Sequence, residues 1–481
     1  MNIRVVLKIL GTVLFWESIL MIPSLVISII DNSYDINAFI ISIVLIGIIG
    51  LILKNIKTNN FQLRKREGYA SVAMCWLVMS LFGALPFYLS GAIPSFIDAL
   101  FETASGFTTT GSSILQDIES LPRGLIFWRS FTHWIGGMGV LVFTLALVPS
   151  LGARSVFLMR AESPGPSPGK LVPKLSDTAK ILYVIYGAMT LILIILLIIA
   201  GMPVFDSFIH AFGTAGTGGF SSKSLSIGYY NNPCFEWIIA IFMFLFGANF
   251  SLYYLIIKGD WKSIFKNEEL KFYGITVLIA IILICINILP LYNYSIVEAI
   301  RRSAFQVSTL VTTTGYATAD FNLWPMFSKS ILLMLMFFGA CAGSTGGGVK
   351  FIRILVLAKS IIYEIRHTIH PTSIQTVKVD GKSLDNDTLK SIMIFFFAYV
   401  AIIIVAVLIV SLDNFDFMTT FSAVLATISN IGPGFEVVGP MGNYADFSIL
   451  SKFTMTACMI IGRLEVIPVI TLFAPSVWKK H

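Results

Sequence analysis

"VSTLVTTTGYATADF", residues 307–321, lies between two long apolar stretches and carries the wrong chemistry for that setting. Thr312, Thr313, Thr314 and Gly315 follow one another there, residues that present main-chain carbonyls and, at glycine, tolerate positive φ. The rest of the chain makes this placement costly. Of 481 residues, 56% are hydrophobic and only 12% charged, with a mean hydropathy of +0.85. That is the composition of a polytopic membrane protein.

Apolar runs of the ~20 residues needed to cross hydrocarbon as a helix begin near 9, 37, 70, 124, 179, 235, 272, 328, 390 and 449, predicting ten spans. The first follows a basic start, yet it is too long for a signal peptide and lacks a small-residue cleavage site, so it reads as a retained span. Lys and Arg concentrate in alternate loops, after the second, fourth, sixth and eighth spans, while 412–447 carries Asp413, Asp416, Glu436 and Asp446 without a base. The positive-inside rule then places both termini in the cytoplasm. The net charge of +7 is accordingly a topology signal, since its bases are spread over every inside loop and not gathered as a nucleic-acid site requires. Cys75, Cys234, Cys285, Cys341 and Cys458 have neither disulfide nor metal-ligand spacing. The five histidines show no ligand pattern; His133 and His210 read as packing or capping residues.

Four outside segments share one layout: an amphipathic stretch of roughly a dozen residues, too short to span, then a Thr/Gly-rich turn, polar residues and a new span. They are "FIDALFETASGFTTTGSSI", "VFDSFIHAFGTAGTGGFSS", "IVEAIRRSAFQVSTLVTTTGYAT" and "FDFMTTFSAVLATISNIGPGF". Aligned on Gly111, Gly218, Gly315 and Gly432, the turns recur at intervals of 107, 97 and 117 residues. The expected fold is therefore all-α: a two-helix extension (1–66) and four pseudo-repeats, each a helix, a re-entrant pore helix with a filter loop, and a second helix around a central pore. The repeats occupy 67–151, 152–258 with a cytoplasmic linker, 259–366 with a glycine-rich loop, and 367–481 with a second linker.

Irregular backbone at membrane depth is tolerated only when buried in protein or lining water, so the four turns must meet. The expected filter strands are Thr109–Thr110–Gly111, Gly216–Thr217–Gly218, Thr313–Thr314–Gly315 and Asn430–Ile431–Gly432. Four such strands give rings of main-chain oxygens that can replace the hydration shell of a cation. The carbonyl ends of four half-helices, each worth roughly half a negative charge, favour cations at the same spot. A single "TTTG" would suit an ordinary small-residue packing face equally well; four copies in register do not.

Each repeat's second helix holds small residues: "IGGMG" (135–139), "FGANFS" (246–251), "FGACAGSTGGG" (338–348) and "IGR" (461–463). Packing at helix crossings accounts for the first two. The third breaks a helix and reads as a loop, Gly343, Ser344, Thr345, Gly346, Gly347 and Gly348, that crosses the pathway as a gate. Arg463 lies inside the last apolar run and reads either as an interhelical salt bridge or as a fixed positive charge beneath the filter. Lys350 follows the loop and reads as an inside-end anchor that snorkels, with a gate role as the alternative.

These residues resemble the Trk/Ktr superfamily of potassium uptake proteins, and within it the Trk membrane subunits. The likeness covers nearly the whole chain. It rests on the four turns, on "RAESPGP" (160–166), "GACAGSTGGGVKFIR" (339–353), "HPTSIQTVKVDG" (370–381) and "IGRLEV" (461–466), and on the two leading helices. The resemblance implies K+ uptake without an organic cofactor, a homodimer with one pathway per protomer, and a cytoplasmic ring of regulatory nucleotide-binding subunits. It also implies that the glycine loop is the gate, that Arg463 faces it, and that Gly111 is of the potassium type. The loose second turn and the lack of a second glycine per strand imply moderate discrimination against sodium. The rival readings are a proton- or sodium-coupled symporter, for which Glu17 and Glu465 are the only acids well inside spans, and a membrane enzyme, for which no polar cluster offers a site.

Overall fold

The structure, a computed structural model, describes residues 2–57, 65–139, 175–370 and 376–464, together with 466 and 469. The linker motif at 160–166, residues 371–375 of the 370–381 motif, Glu465 and the distal ends of the fourth and tenth predicted spans fall outside the described residues. Among the described residues, six helical segments are long and apolar enough to cross a membrane: Ile3–Ile30, Ile36–Lys54, Glu67–Leu89, Asp177–Ile199, Glu268–Tyr292 and Asn386–Asp413.

The expectation of ten spans is corrected at the sixth, while the eighth is broken by the glycine-rich stretch as the sequence predicts. The sixth predicted span is two helices, Pro233–Phe246 and Phe250–Ile257, bent by 92°. Asn249 causes the break, because its side chain accepts from the Ser251 amide at 2.9 Å and so caps a new helix. The "FGANFS" stretch is thus a break and not merely a packing face. The eighth predicted span is helical only over Met326–Leu335. Beyond it the chain opens into a loop closed at its base by a short parallel bridge, Phe338 with Val349 and Gly339 with Lys350.

The four predicted half-helices are present as Phe96–Phe107, Val204–Gly216, Ile296–Val311 and Phe417–Ile428. Their C-terminal halves are buried almost without interruption, as from Ser303 to Val311. Around them the spans turn residues such as Ile41, Val44, Ile48 and Ile52 outward. Such apolar surface is unfavourable in water and neutral against lipid. Buried hydroxyls bond back to the preceding turn, Ser42 to the Ala38 carbonyl at 2.7 Å and Thr103 to the Ala99 carbonyl at 2.8 Å, so few polar groups need a distant partner. The leading helix Ile3–Leu20 lies against Ile36–Lys54 through Gly11 and Gly50. A Cβ at Gly11 would stand 2.4 Å from the Lys54 nitrogen, and one at Gly50 would stand 2.6 Å from the Phe15 nitrogen.

Candidate functional site

Each half-helix ends in the same way. The amides of Thr110, Gly218, Thr314 and Ile431 reach back five residues to the carbonyls of Ser105, Gly213, Thr309 and Ala426, at 2.8, 2.8, 2.8 and 2.9 Å. The preceding amides, of Thr109, Thr217, Thr313 and Asn430, reach back three residues. This is the Schellman C-cap, whose penultimate position takes the left-handed conformation and is usually glycine. Here it holds Thr109, Thr217, Thr313 and Asn430, at φ of 55°, 53°, 58° and 54°. A Cβ-bearing residue in that region costs about 1–2 kcal/mol. Three threonines carry that strain, while asparagine accepts the left-handed conformation more readily.

The glycine that follows two residues later also has positive φ: Gly111, Gly219, Gly315 and Gly432, at 82°, 79°, 85° and 101°. The register of the second turn is therefore corrected by one. Gly219 occupies the place assigned to Gly218, and Gly216–Gly218 matches Thr108–Thr110. Three adjacent small residues, Thr217, Gly218 and Gly219, leave the sequence without a marker, and only the backbone dihedrals set the phase.

The four turns meet. A Cβ built on Gly111 would stand 2.0 Å from the Gly218 carbonyl oxygen, on Gly219 2.0 Å from that of Thr314, on Gly315 2.0 Å from that of Ile431, and on Gly432 2.9 Å from that of Thr110. The series runs from repeat one through two, three and four and back to one, so it closes a ring. All four glycines also line one cavity of about 110 Å³, a vestibule walled by residues 112–118, 220–226 and 438–444 among others. Of the buried oxygens at the strained layer, Thr109 Oγ1 and Asn430 Oδ1 have no hydrogen-bond partner. Orphaned acceptors at the end of four carbonyl dipoles suit a cation cargo. The Gly432 carbonyl, by contrast, already accepts from the Ser112 hydroxyl at 3.1 Å and the Tyr444 hydroxyl at 2.8 Å.

Behind the ring, side chains to which sequence reasoning assigned no filter role hold the outgoing strands. Glu102, 1% exposed, accepts from the Ile114 amide at 3.0 Å and pairs with Arg129 at 2.6 Å. Arg129 in turn donates to the Ser221 carbonyl at 3.1 Å and stacks on Phe220, joining the first and second strands. His210 meets the Ser221 hydroxyl at 3.0 Å, and Gln306 donates to the Ala319 carbonyl at 3.1 Å. Glu102, His210 and Gln306 each stand nine residues before their glycine once Gly219 is used. The one-residue register error concealed that column. In the fourth repeat Ala423 occupies it, and the neighbouring Ser422 hydroxyl accepts from the Phe435 amide at 2.8 Å. His133 packs behind the second turn, with Nδ1 2.8 Å from the Gly106 carbonyl and its ring on Phe220.

On the side of the ring away from the vestibule lies the glycine loop. The Gly347 amide donates to Thr313 Oγ1 at 2.8 Å. A Cβ on Gly346 would stand 3.1 Å from the Thr312 carbonyl oxygen, and one on Gly347 2.7 Å from that of Ser429. The loop thus touches the inner ends of the third and fourth turns. Arg463 donates at 2.6 Å to each of three carbonyls, Thr345 in this loop and Gly136 and Gly137 at the end of the helix Arg123–Gly137. A residue of the fourth repeat so ties the third to the first. The "IGGMG" glycines combine packing with helix termination, since a Cβ on Gly136 would stand 1.8 Å from the Phe107 carbonyl oxygen. The reading of Lys350 as a snorkelling anchor is corrected: the residue is 1% exposed and its ammonium donates to the Gly346 carbonyl inside the loop. Hydrogen bonds of the loop outcompete the headgroup region for it.

The fold and site define a class: a polytopic helical membrane protein in which four re-entrant turns close a ring beneath a vestibule. Known proteins share this plan. The family model TrkH, described as a cation transport protein, matches residues 35–480. The chain is 38% identical over 424 residues to the Trk system potassium uptake protein TrkH of Salmonella typhimurium, covering 87% of each. It is 35% identical over 482 residues to TrkG of Escherichia coli K12, covering 99% of each. The crystal structure of the potassium transporter TrkH from Vibrio parahaemolyticus matches with a TM-score of 0.89 at 29% identity, over 100% of both chains. The chain belongs to the TrkH family of cation transport proteins, which are membrane transporters and not enzymes.

Proposed function

We propose that this chain takes up potassium across the cell membrane through a channel-like pore, with K+ stripped of water at the ring and no organic cofactor. The observation that carries the proposal is the closed cycle of glycine-to-carbonyl contacts, which brings four oxygens, of Thr110, Gly218, Thr314 and Ile431, into one layer. The filter comprises Thr109–Gly111, Thr217–Gly219, Thr313–Gly315 and Asn430–Gly432, with the repeats at 67–151, 152–258, 259–366 and 367–481 as its building units. Discrimination against sodium is moderate, because the engaged Gly432 carbonyl removes one oxygen from the glycine layer. Gly343–Gly348 is the gate, and Arg463 and Lys350 hold it closed beneath the filter. Basic inside loops put both termini in the cytoplasm. The protein works as a homodimer whose inside loops dock a ring of nucleotide-binding regulatory subunits, the arrangement that a Trk system suggests.

A proton- or sodium-coupled symport is the second reading. Glu17 favours it, being 1% exposed in the first span with both carboxylate oxygens lacking a hydrogen-bond partner, as a group that takes up a proton or ion requires. Proteoliposomes separate the two. Potassium entering down its own gradient with no pH or sodium gradient supports the pore; potassium movement only when protons or sodium flow overturns it.

A further inference from the structure

One side chain fastens the glycine loop at both ends. Glu269, the second residue of the helix Glu268–Ile288 and 4% exposed, accepts through Oε1 from the Ala342 amide at 2.7 Å and from the Ile352 amide at 3.1 Å. These amides lie on either side of Gly343–Gly348, and the bridge of Phe338–Gly339 with Val349–Lys350 brings them together. Lys350 adds an opposite charge to the carboxylate's surroundings while its ammonium holds the Gly346 carbonyl. Hydrogen bonds held out of water are stronger than exposed ones. Glu269 is therefore a clasp on the closed loop.

The same helix start is held from outside by the hairpin Lys378–Val379 and Lys382–Ser383. Asp380, exposed at the hairpin tip with φ of 50°, accepts from the Glu268 amide at 2.8 Å and from Asn267 Nδ2 at 3.0 Å. Lys359, on the helix Phe351–Ile369 that leaves the loop, donates to the Lys378 carbonyl at 2.7 Å and pairs with Glu268. The hairpin thus grips both the helix that carries the clasp and the helix that follows the loop. Its bonds are solvent-exposed, and exposed pairs and caps are weak. The outer grip is therefore undone at lower cost than the buried inner one.

We infer that Glu269 is a gate-positioning residue and that the Asp380 hairpin is the handle that releases it; the inference rests on the reading of Gly343–Gly348 as the gate. Pulling the hairpin away frees the amide of Glu268, lets the first turn of its helix rotate, and carries the Glu269 carboxylate off the two loop amides.

The test is potassium flux into proteoliposomes holding the purified full-length chain with no partner protein. Glu269→Ala is expected to raise basal flux about tenfold and Asp380→Ala about threefold. The double variant should match Glu269→Ala alone, because the handle acts through the clasp. A double variant that multiplies the two effects to about thirtyfold overturns the handle. Basal flux at the parent level in Glu269→Ala, while Arg463→Ala raises it, overturns the clasp and leaves the gate standing. No rise in any of these variants sinks the gate reading itself. Where the alanine variant does not fold, Glu269→Gln keeps the volume and one acceptor oxygen; it is expected to raise flux by a smaller factor, and parent flux beside a raised Arg463→Ala counts against the clasp. A residue that only supported the fold would lower recovered protein and flux together.

Discussion

Serine placed at the ring glycines tests the pore most directly, and Gly315→Ser is the clearest instance. The Cβ would stand 2.0 Å from the Ile431 carbonyl oxygen, at φ of 85°. Carbon and oxygen rarely approach nearer than about 3.3 Å, so the Ile431 carbonyl must retreat by roughly 1 Å. With about half a unit charge on that oxygen and an effective dielectric near 20, stretching an ion contact from about 3 to about 4 Å forfeits about 0.7 kcal/mol. That is roughly threefold in affinity for the ion from one ligand alone. A loosened cage fits the two alkali ions less differently, so the ratio of potassium to sodium permeability should fall by about that factor or more. The left-handed serine adds about 1–2 kcal/mol of destabilisation. The geometry also grades the series: Gly111, Gly219 and Gly315 each face an oxygen at 2.0 Å, whereas Gly432 faces one at 2.9 Å. Gly432→Ser should be the mildest of the four. The assay is competitive potassium and sodium flux in proteoliposomes, with melting in detergent as a check on folding. A folded Gly315→Ser protein with unchanged selectivity, or a Gly432→Ser protein more damaged than the others, refutes the reasoning.

Three further outcomes follow from the same contacts. Arg463→Ala frees the Thr345, Gly136 and Gly137 carbonyls and should raise basal potassium flux, whereas a purely structural bridge would give lost protein and no gain. Glu102→Gln strands the buried Arg129 guanidinium, a change worth about 3–5 kcal/mol when a buried pair is broken; calorimetry or fluorescence melting should show a large fall in midpoint, and an unchanged midpoint would contradict the strut role. Thr217→Gly relieves a left-handed threonine at about 1–2 kcal/mol, offset by about 0.5–1 kcal/mol of glycine entropy. It should raise the melting midpoint by about 1–2 °C, and a fall would show that the Thr217 side chain contributes more than its strain costs.

Much of the fold was legible because the bilayer imposes a simple rule on composition. Apolar runs had to be helices, and short amphipathic pieces ending in Thr and Gly had to be half-helices buried in protein. The rule does not see interruptions in a run that stays apolar. "FGANFS" keeps its hydrophobic character while Asn249 caps a new helix, so a 92° bend read as a continuous span. Nor does it see which polar groups meet: Lys350 looked like any basic residue at a helix end until the loop carbonyl claimed its ammonium.

Sequence alone determined the membrane class, the four-fold recurrence, the turns and the breaking of the glycine loop, since each follows from local chemistry repeated along the chain. Tertiary structure alone decided the phase of the second turn, the closure of the ring and the partners of Glu102, Arg129, Glu269 and Arg463. Those depend on dihedral angles and on contacts between residues as much as 327 positions apart, distances over which a one-dimensional pattern carries no register.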